Sequence, residues 1–252
     1  MAEPEPIRPP SPALLALEGR AWLEFAALLP APPLLARAPR GDGHPVLVLP
    51  GWLASDRTTR PLRWFLRDRG YHAHGWKLGR NHGPDADTVA GLGRRFLALR
   101  NRHGRRLTLI GWSLGGIYAR ELARRFPTDV RQVITLASPF RDVSATSPIT
   151  RVFRSRRPVN DRPDLHRRLR DPLPVPSTAI YSRSDGIVAW QSCIEEEGPQ
   201  SESIAVQSSH CGMGHHPTVL LLIADRLAQP EGAWKPYAER RPPTRAAAAA
   251  TA

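Results

Sequence analysis

Lysine and cysteine are nearly missing from this 252-residue chain. Lysine occurs only at Lys77 and Lys235, so all but two of the 36 basic residues are arginine. That bias fits the codon usage of a GC-rich genome as well as it fits a selected binding surface. The arginines are scattered, and no basic stripe interleaved with aromatics is present, which argues against a nucleic-acid partner. The net charge of +13 still favours anionic surfaces or substrates at low salt. Cysteine is the second scarcity, confined to Cys193 and Cys211. With His210, His215 and His216 they follow no standard zinc-ligand spacing, so no metal and no cofactor is expected. A disulfide between them would add about 3 kcal/mol, but reduced thiols are the expectation where no export signal is visible.

Long apolar runs are also lacking. The opening stretch MAEPEPIRPPSP carries Glu3 and Glu5 where a secretory leader carries Lys or Arg, so a cytoplasmic protein is expected. From Pro12 to Pro39 the chain is rich in leucine, yet Glu18, Arg20 and Glu24 interrupt it and Pro30, Pro32 and Pro33 end it, which excludes a bilayer span. Leu14, Leu17, Ala21, Phe25 and Leu28 share one helical face. This pattern predicts an amphipathic helix docked on the domain, with a peripheral membrane contact as the alternative. No internal repeat is present.

What is there is an alternation of short apolar runs and helical stripes. Val46 to Leu49, Tyr71 to Trp76, Leu107 to Ile110, Val133 to Ala137, Thr178 to Tyr181 and Ser203 to Gln207 are predicted strands. Between them, Leu62, Phe65 and Leu66, then Val89, Leu92, Phe96 and Leu99, then Ala119, Leu122, Ala123 and Phe126 make helical faces. Leu220, Ile223, Ala224 and Leu227 stripe the last helix. Such alternation requires parallel strands with crossover helices, hence an α/β fold with helices on both faces of the sheet. Residues 1–40 form a Pro/Leu-rich extension and 41–228 the domain. Residues 139–176 lack periodicity and hold nine arginines against four aspartates, which predicts a lid-like insertion suited to an anionic substrate or surface. From Gln229 to Ala252 a flexible tail is expected.

The chemistry starts at LIGWSLGG, residues 109–116. Ser113 lies between a predicted strand and a predicted helix, flanked by Gly111 and Gly115. A serine needs a base to remove its proton and a sharp turn to project it, and this placement supplies the turn. An oxyanion site needs two backbone N–H groups. Leu114 offers one, and Trp52 in LPGWLAS, just after the first strand, is the candidate for the other. Asp185 in AIYSRSDGIV follows the fifth strand and is the candidate orienting acid. His210, first in SHCGMGHHP after the last strand, is the candidate base; His215 is the alternative, and His216 beside Pro217 suits a helix start.

The order Ser113, Asp185, His210 is that of α/β-hydrolases. Through VLVLPGWLASD, GRNHGP, LIGWSLGGIYARELA, VITLASPF, AIYSRSDGIV and SHCGMGHHP the chain resembles the bacterial lipase-like and esterase-like α/β-hydrolases over residues 41–228. The resemblance implies an α/β-hydrolase fold and a serine ester hydrolase working through an acyl-enzyme, with Ser113 as nucleophile, Asp185 as acid and His210 as base. Its substrates would be small-molecule or lipid acyl esters. Where many lipases read His-Gly at the oxyanion loop, this chain reads Pro50-Gly51, which keeps the backbone donor and loses a histidine side chain. An acyltransferase using the same triad, or a binding protein on a hydrolase scaffold, are the alternatives.

Overall fold

The structure is a computed structural model that describes residues 7–144, 146 and 168–240. Its centre is a six-stranded sheet in the order β2-β1-β3-β4-β5-β6, with every pairing parallel. The strands are β1 (Pro45–Leu49), β2 (His72–Gly75), β3 (Leu107–Trp112), β4 (Val130–Leu136), β5 (Ser177–Tyr181) and β6 (Ser201–Ala205). Within β1, Val46 and Val48 point to one face and Leu47 and Leu49 to the other, as the two-residue period of a strand dictates. Both faces need covering, which is why β1 and β4 are buried along their whole length.

The helices supply that cover. Helix α4 (Arg60–Asp68) packs Leu62, Phe65 and Leu66 on the Val46/Val48 face, and α7 (Pro217–Leu227) adds Val219, Leu220, Ile223 and Leu227 there. On the opposite face lie α5 (Ala86–His103), with Leu92, Phe96 and Leu99, and α6 (Leu114–Arg125), with Ala119, Leu122 and Ala123. Val89, which shares the α5 spacing, is exposed. The Asp85 side chain caps α5 by accepting from the Thr88 N–H, and Gly104, at φ 60°, ends it in the left-handed conformation. The chain runs outward from β1 to β2 and then returns to the other side of β1 to form β3. Loops after β1 and β3 therefore part at the carboxyl edge of the sheet, where such folds open a ligand crevice.

The two ends of the chain differ from expectation. The single amphipathic helix is instead α1 (Pro12–Ala16), a 3₁₀ turn (Leu17–Arg20) and α2 (Ala21–Ala26), followed by α3 (Pro32–Leu35). Of the predicted face, Leu17 and Phe25 are about half exposed, while Leu14, Ala21 and Leu28 are partly buried, with Leu28 packed against the core and Phe25 against His215; Trp22, Leu23 and Leu29, off that face, are exposed. Gly19 and the flanking charged residues break the helix, and polar side chains make further contacts. At the other end, residues 229–240 are attached, not loose. Gln229 is buried and its carbonyl accepts from Arg131, while the buried Arg226 bonds Glu202 and the Lys235 carbonyl. The Tyr237 N–H donates to Glu202 at 2.7 Å. Residues 241–252 lie outside the described part.

Most of the lid-like insertion also lies outside it. Of its nine arginines three are described, and each is already engaged: Arg141 with Glu196, Arg168 with Glu121, and Arg170 with the Arg141 carbonyl. Among the described residues no helix is long and apolar enough to cross a membrane.

Candidate active site

Ser113 follows β3 at φ 53°, ψ −121°, a conformation an L-residue holds only where its surroundings impose it. Three hydrogen bonds impose it. The Ser113 N–H donates to the Leu136 carbonyl at 2.8 Å, and the Ser113 carbonyl accepts from the Gly116 N–H at 2.9 Å and the Ser138 hydroxyl at 2.7 Å. Glycine is required on both sides. A Cβ at position 111 would lie 2.3 Å from the Gly115 carbonyl oxygen, and one at 115 would lie 2.3 Å from that of Leu49. The strand thus turns into α6 with the serine at its tip and the helix N-terminus directly behind, where its dipole favours negative charge.

The loop after β1 lies against this tip. A Cβ on Gly51 would sit 3.2 Å from Ser113 Cβ and 3.8 Å from its hydroxyl oxygen. The Gly51 backbone, which leads into Trp52, is therefore beside the serine, and Leu53 turns at φ 56°. Asn81, within GRNHGP and given no role from sequence, holds this loop: it is fully buried, and its side-chain NH₂ donates to the Pro50 carbonyl at 2.9 Å. Its carbonyl accepts from the Leu53 N–H at 2.6 Å and its N–H donates to the Ala54 carbonyl at 2.8 Å. The Asn81 side-chain oxygen accepts from the Tyr118 hydroxyl at 3.2 Å.

Asp185 and His210, 25 residues apart, meet after β5 and β6. Asp185 Oδ2 lies 2.7 Å from His210 Nδ1, and both residues are buried. The other carboxylate oxygen accepts from the Ile187 and Val188 N–H groups at 2.8 and 2.9 Å. A carboxylate only accepts, so Nδ1 carries the proton and Nε2 keeps its lone pair. Burial alone would lower the His210 pKa, but the charge and hydrogen bond of Asp185, with Glu18 behind them, raise it above its ordinary value. The His210 carbonyl accepts from the Trp112 indole N–H at 3.1 Å, joining the base loop to the residue beside the serine. Among the described residues the Ser113 hydroxyl itself forms no hydrogen bond.

Comparison with known proteins agrees with this layout at the level of the fold. The chain resembles lipase B of Aspergillus fumigatus with a TM-score of 0.54 at 17% identity, over 79% of this chain and 56% of that one. The Bacillus licheniformis lipase BlEst2 gives 0.53 at 13% identity, over 76% and 95%. A pyrethroid hydrolase from Sphingobium faniae gives 0.52 at 19% identity, over 75% and 98%. The chain has the α/β-hydrolase fold. In sequence it is 33% identical over 99 residues, 39% of its length, to the pimeloyl-[acyl-carrier protein] methyl ester esterase of Shewanella woodyi. That match spans 37% of the relative. No protein-family model matches.

The remaining candidates do not take part in the Asp185–His210 hydrogen bond. His215, the alternative base, bonds the Ala21 carbonyl through Nε2 at 3.2 Å and packs edge-on against Phe25. It is thus occupied by the N-terminal segment. His216 caps α7 by accepting from the Thr218 N–H. Cys193 and Cys211 are unpaired thiols. Burial, then the nearby carboxylates of Glu18 and Asp185, push Cys211 up to about 12, so it holds its proton at neutral pH. Among the described residues no group of three or more His, Cys, Asp or Glu is placed to hold a metal ion.

Proposed function

We propose that this chain is a serine ester hydrolase acting through an acyl-enzyme on Ser113. The observation that carries the reading is the buried 2.7 Å Asp185–His210 hydrogen bond at the same sheet edge as the constrained Ser113 turn. His210 Nε2 takes the Ser113 proton as the oxygen attacks the ester carbonyl. The N–H groups of Trp52 and Leu114 hold the oxyanion that forms. His210 then passes the proton to the leaving alcohol, and the same base draws a proton from water to release the acid and restore the serine. Asp185 keeps Nδ1 protonated throughout. The open Ser113 hydroxyl fits a site whose catalytic hydrogen bond tightens once substrate is bound.

The methyl ester in the name of the Shewanella woodyi relative supports an ester bond as the target. Leu53, next to Trp52, and Leu114, which carries the second donor, are not fully buried and support an apolar acyl portion. Hydrolysis of nitrophenyl esters of graded acyl length by the full chain tests the reading. Ser113→Ala is expected to lower kcat/KM by at least roughly 10⁴-fold; a variant that hydrolyses at the wild-type rate would overturn it.

A further inference from the structure

We propose that residues 14–24 form a clamp in which Glu18 and Glu24 are positioning residues that lock the Asp185 loop to the His210 loop. The inference rests on the esterase reading above and adds to it a part of the chain outside the sheet. One oxygen of Glu18 accepts from the Gly186 N–H at 2.8 Å and the His210 N–H at 2.9 Å, while the other accepts from the Cys211 N–H at 3.0 Å. A single carboxylate therefore bridges the residue after the acid and the base itself, which leave the sheet from different strands. Glu24 holds the same loop one residue earlier. Its two oxygens accept from the Ser209 N–H at 2.8 Å and the Ser209 hydroxyl at 2.5 Å. Arg20 completes the clamp, donating to the Ser184 carbonyl at 2.9 Å and hydroxyl at 2.8 Å and to Glu24 at 3.2 Å.

These bonds are the charge-assisted kind, shorter and stronger than neutral ones. They attach this part of the segment together with the Ala21 carbonyl, which bonds His215, while Leu17, Trp22 and Leu23 face outward. A strap that served only to cover the core would bury those side chains and leave the carboxylates in water. Here the polarity is reversed, and the carboxylates go to the backbone on either side of the Asp185–His210 bond. The fit is close: a Cβ on Gly186 would lie 2.2 Å from the Leu14 carbonyl oxygen. An imidazole that must transfer protons in both directions gains from such fixing, because small misplacements of a catalytic group lower kcat steeply.

The charge of Glu18 also reaches the His210 ring. Asp185 and Glu18 are the ionisable groups that raise its pKa, with Cys211 adjacent and protonated and Glu24 turned to Ser209. Removing the Glu18 charge should lower the pKa of the imidazolium, so the acid limb of kcat/KM should move to lower pH.

The test is steady-state hydrolysis of a nitrophenyl ester by the full chain and by Glu18→Gln, which keeps the shape and removes the charge. The expected result is a fall in kcat of about tenfold or more with KM within about twofold and the acid limb displaced to lower pH. Arg20→Ala, at a half-exposed position away from the imidazole, should lower kcat without moving that limb. If Glu18→Gln does not fold, kcat of Arg20→Ala decides. Wild-type hydrolysis that Ser113→Ala abolishes, together with unchanged kcat and an unmoved acid limb in the folded Glu18→Gln variant, would overturn the clamp alone. A wild-type chain with no Ser113-dependent hydrolysis would remove the esterase reading first.

Discussion

At the residue scale, Ser113, Asp185 and Asn81 act through different physics. Ser113 holds a backbone conformation that costs of order 1–3 kcal/mol and is maintained by Leu136, Gly116 and Ser138. Asp185 sets the tautomer of His210. Asp185→Asn would place an amide where the carboxylate now accepts, and kcat is expected to drop roughly 10⁴-fold in ester hydrolysis. A variant that keeps wild-type kcat would refute the assigned role. Asn81→Ala leaves the Pro50 carbonyl and the Tyr118 hydroxyl without their buried partner. It should cost about 1–3 kcal/mol in urea unfolding and slow hydrolysis by loosening the Trp52 loop; equal stability would contradict this. Sequence made the serine, aspartate and histidine visible because each sits just past an apolar run, with glycine where the backbone turns. Asn81 carries no such mark, since its significance depends on Pro50 and Tyr118, which lie 31 and 37 residues away.

At the scale of elements, the central strands were legible because both their faces are buried and the runs are unbroken. The β6 strand lies at Ser201–Ala205, two residues before the run read from sequence. There polar residues at an edge strand blur the pattern. The N-terminal helix is divided into α1, a 3₁₀ turn and α2 because the apolar spacing runs across Gly19, whose poor helix propensity the spacing does not reveal. The helix behind the serine is fixed from below by a buried ion pair, Arg120 with Glu195, with the Arg120 guanidinium 4.0 Å above the Phe140 ring. Removing one partner strands a buried charge. Glu195→Ala should therefore destabilise the chain by about 3–5 kcal/mol, read as a lower urea midpoint. A shift smaller than about 1 kcal/mol, the range of surface pairs, would contradict it.

At the scale of the whole molecule, the buried His44 and the half-buried His74 are held neutral. Burial and the neighbouring Arg131 push His44 down to about 4, against the opposing pull of Asp42. Burial, then His103 and Arg95, push His74 down to about 4. Between the ordinary value of 6.5 and about 4 the unfolded chain binds protons that the folded chain refuses. Stability must fall as pH drops through that window. His210 works in the other direction: its raised pKa stabilises the fold below 6.5, and that contribution is lost as pH climbs through the folded value. His103, His215 and His216 are also shifted down by burial, so the depressed histidines outnumber it and Tm by calorimetry is expected to be lower at pH 5 than at pH 7. An equal or higher Tm at pH 5 would contradict the neutral state of His44 and His74. The same His210 shift means that ester hydrolysis should lose activity on the acid side of a pKa above 6.5.

Whether the alcohol at position 113 is activated by the imidazole at position 210 is tested most directly by fluorophosphonate labelling, read by intact mass and peptide mapping. The expected result is one adduct, on Ser113, formed far more slowly in His210→Ala. An adduct on another residue, or equal labelling rates in the two proteins, would contradict it.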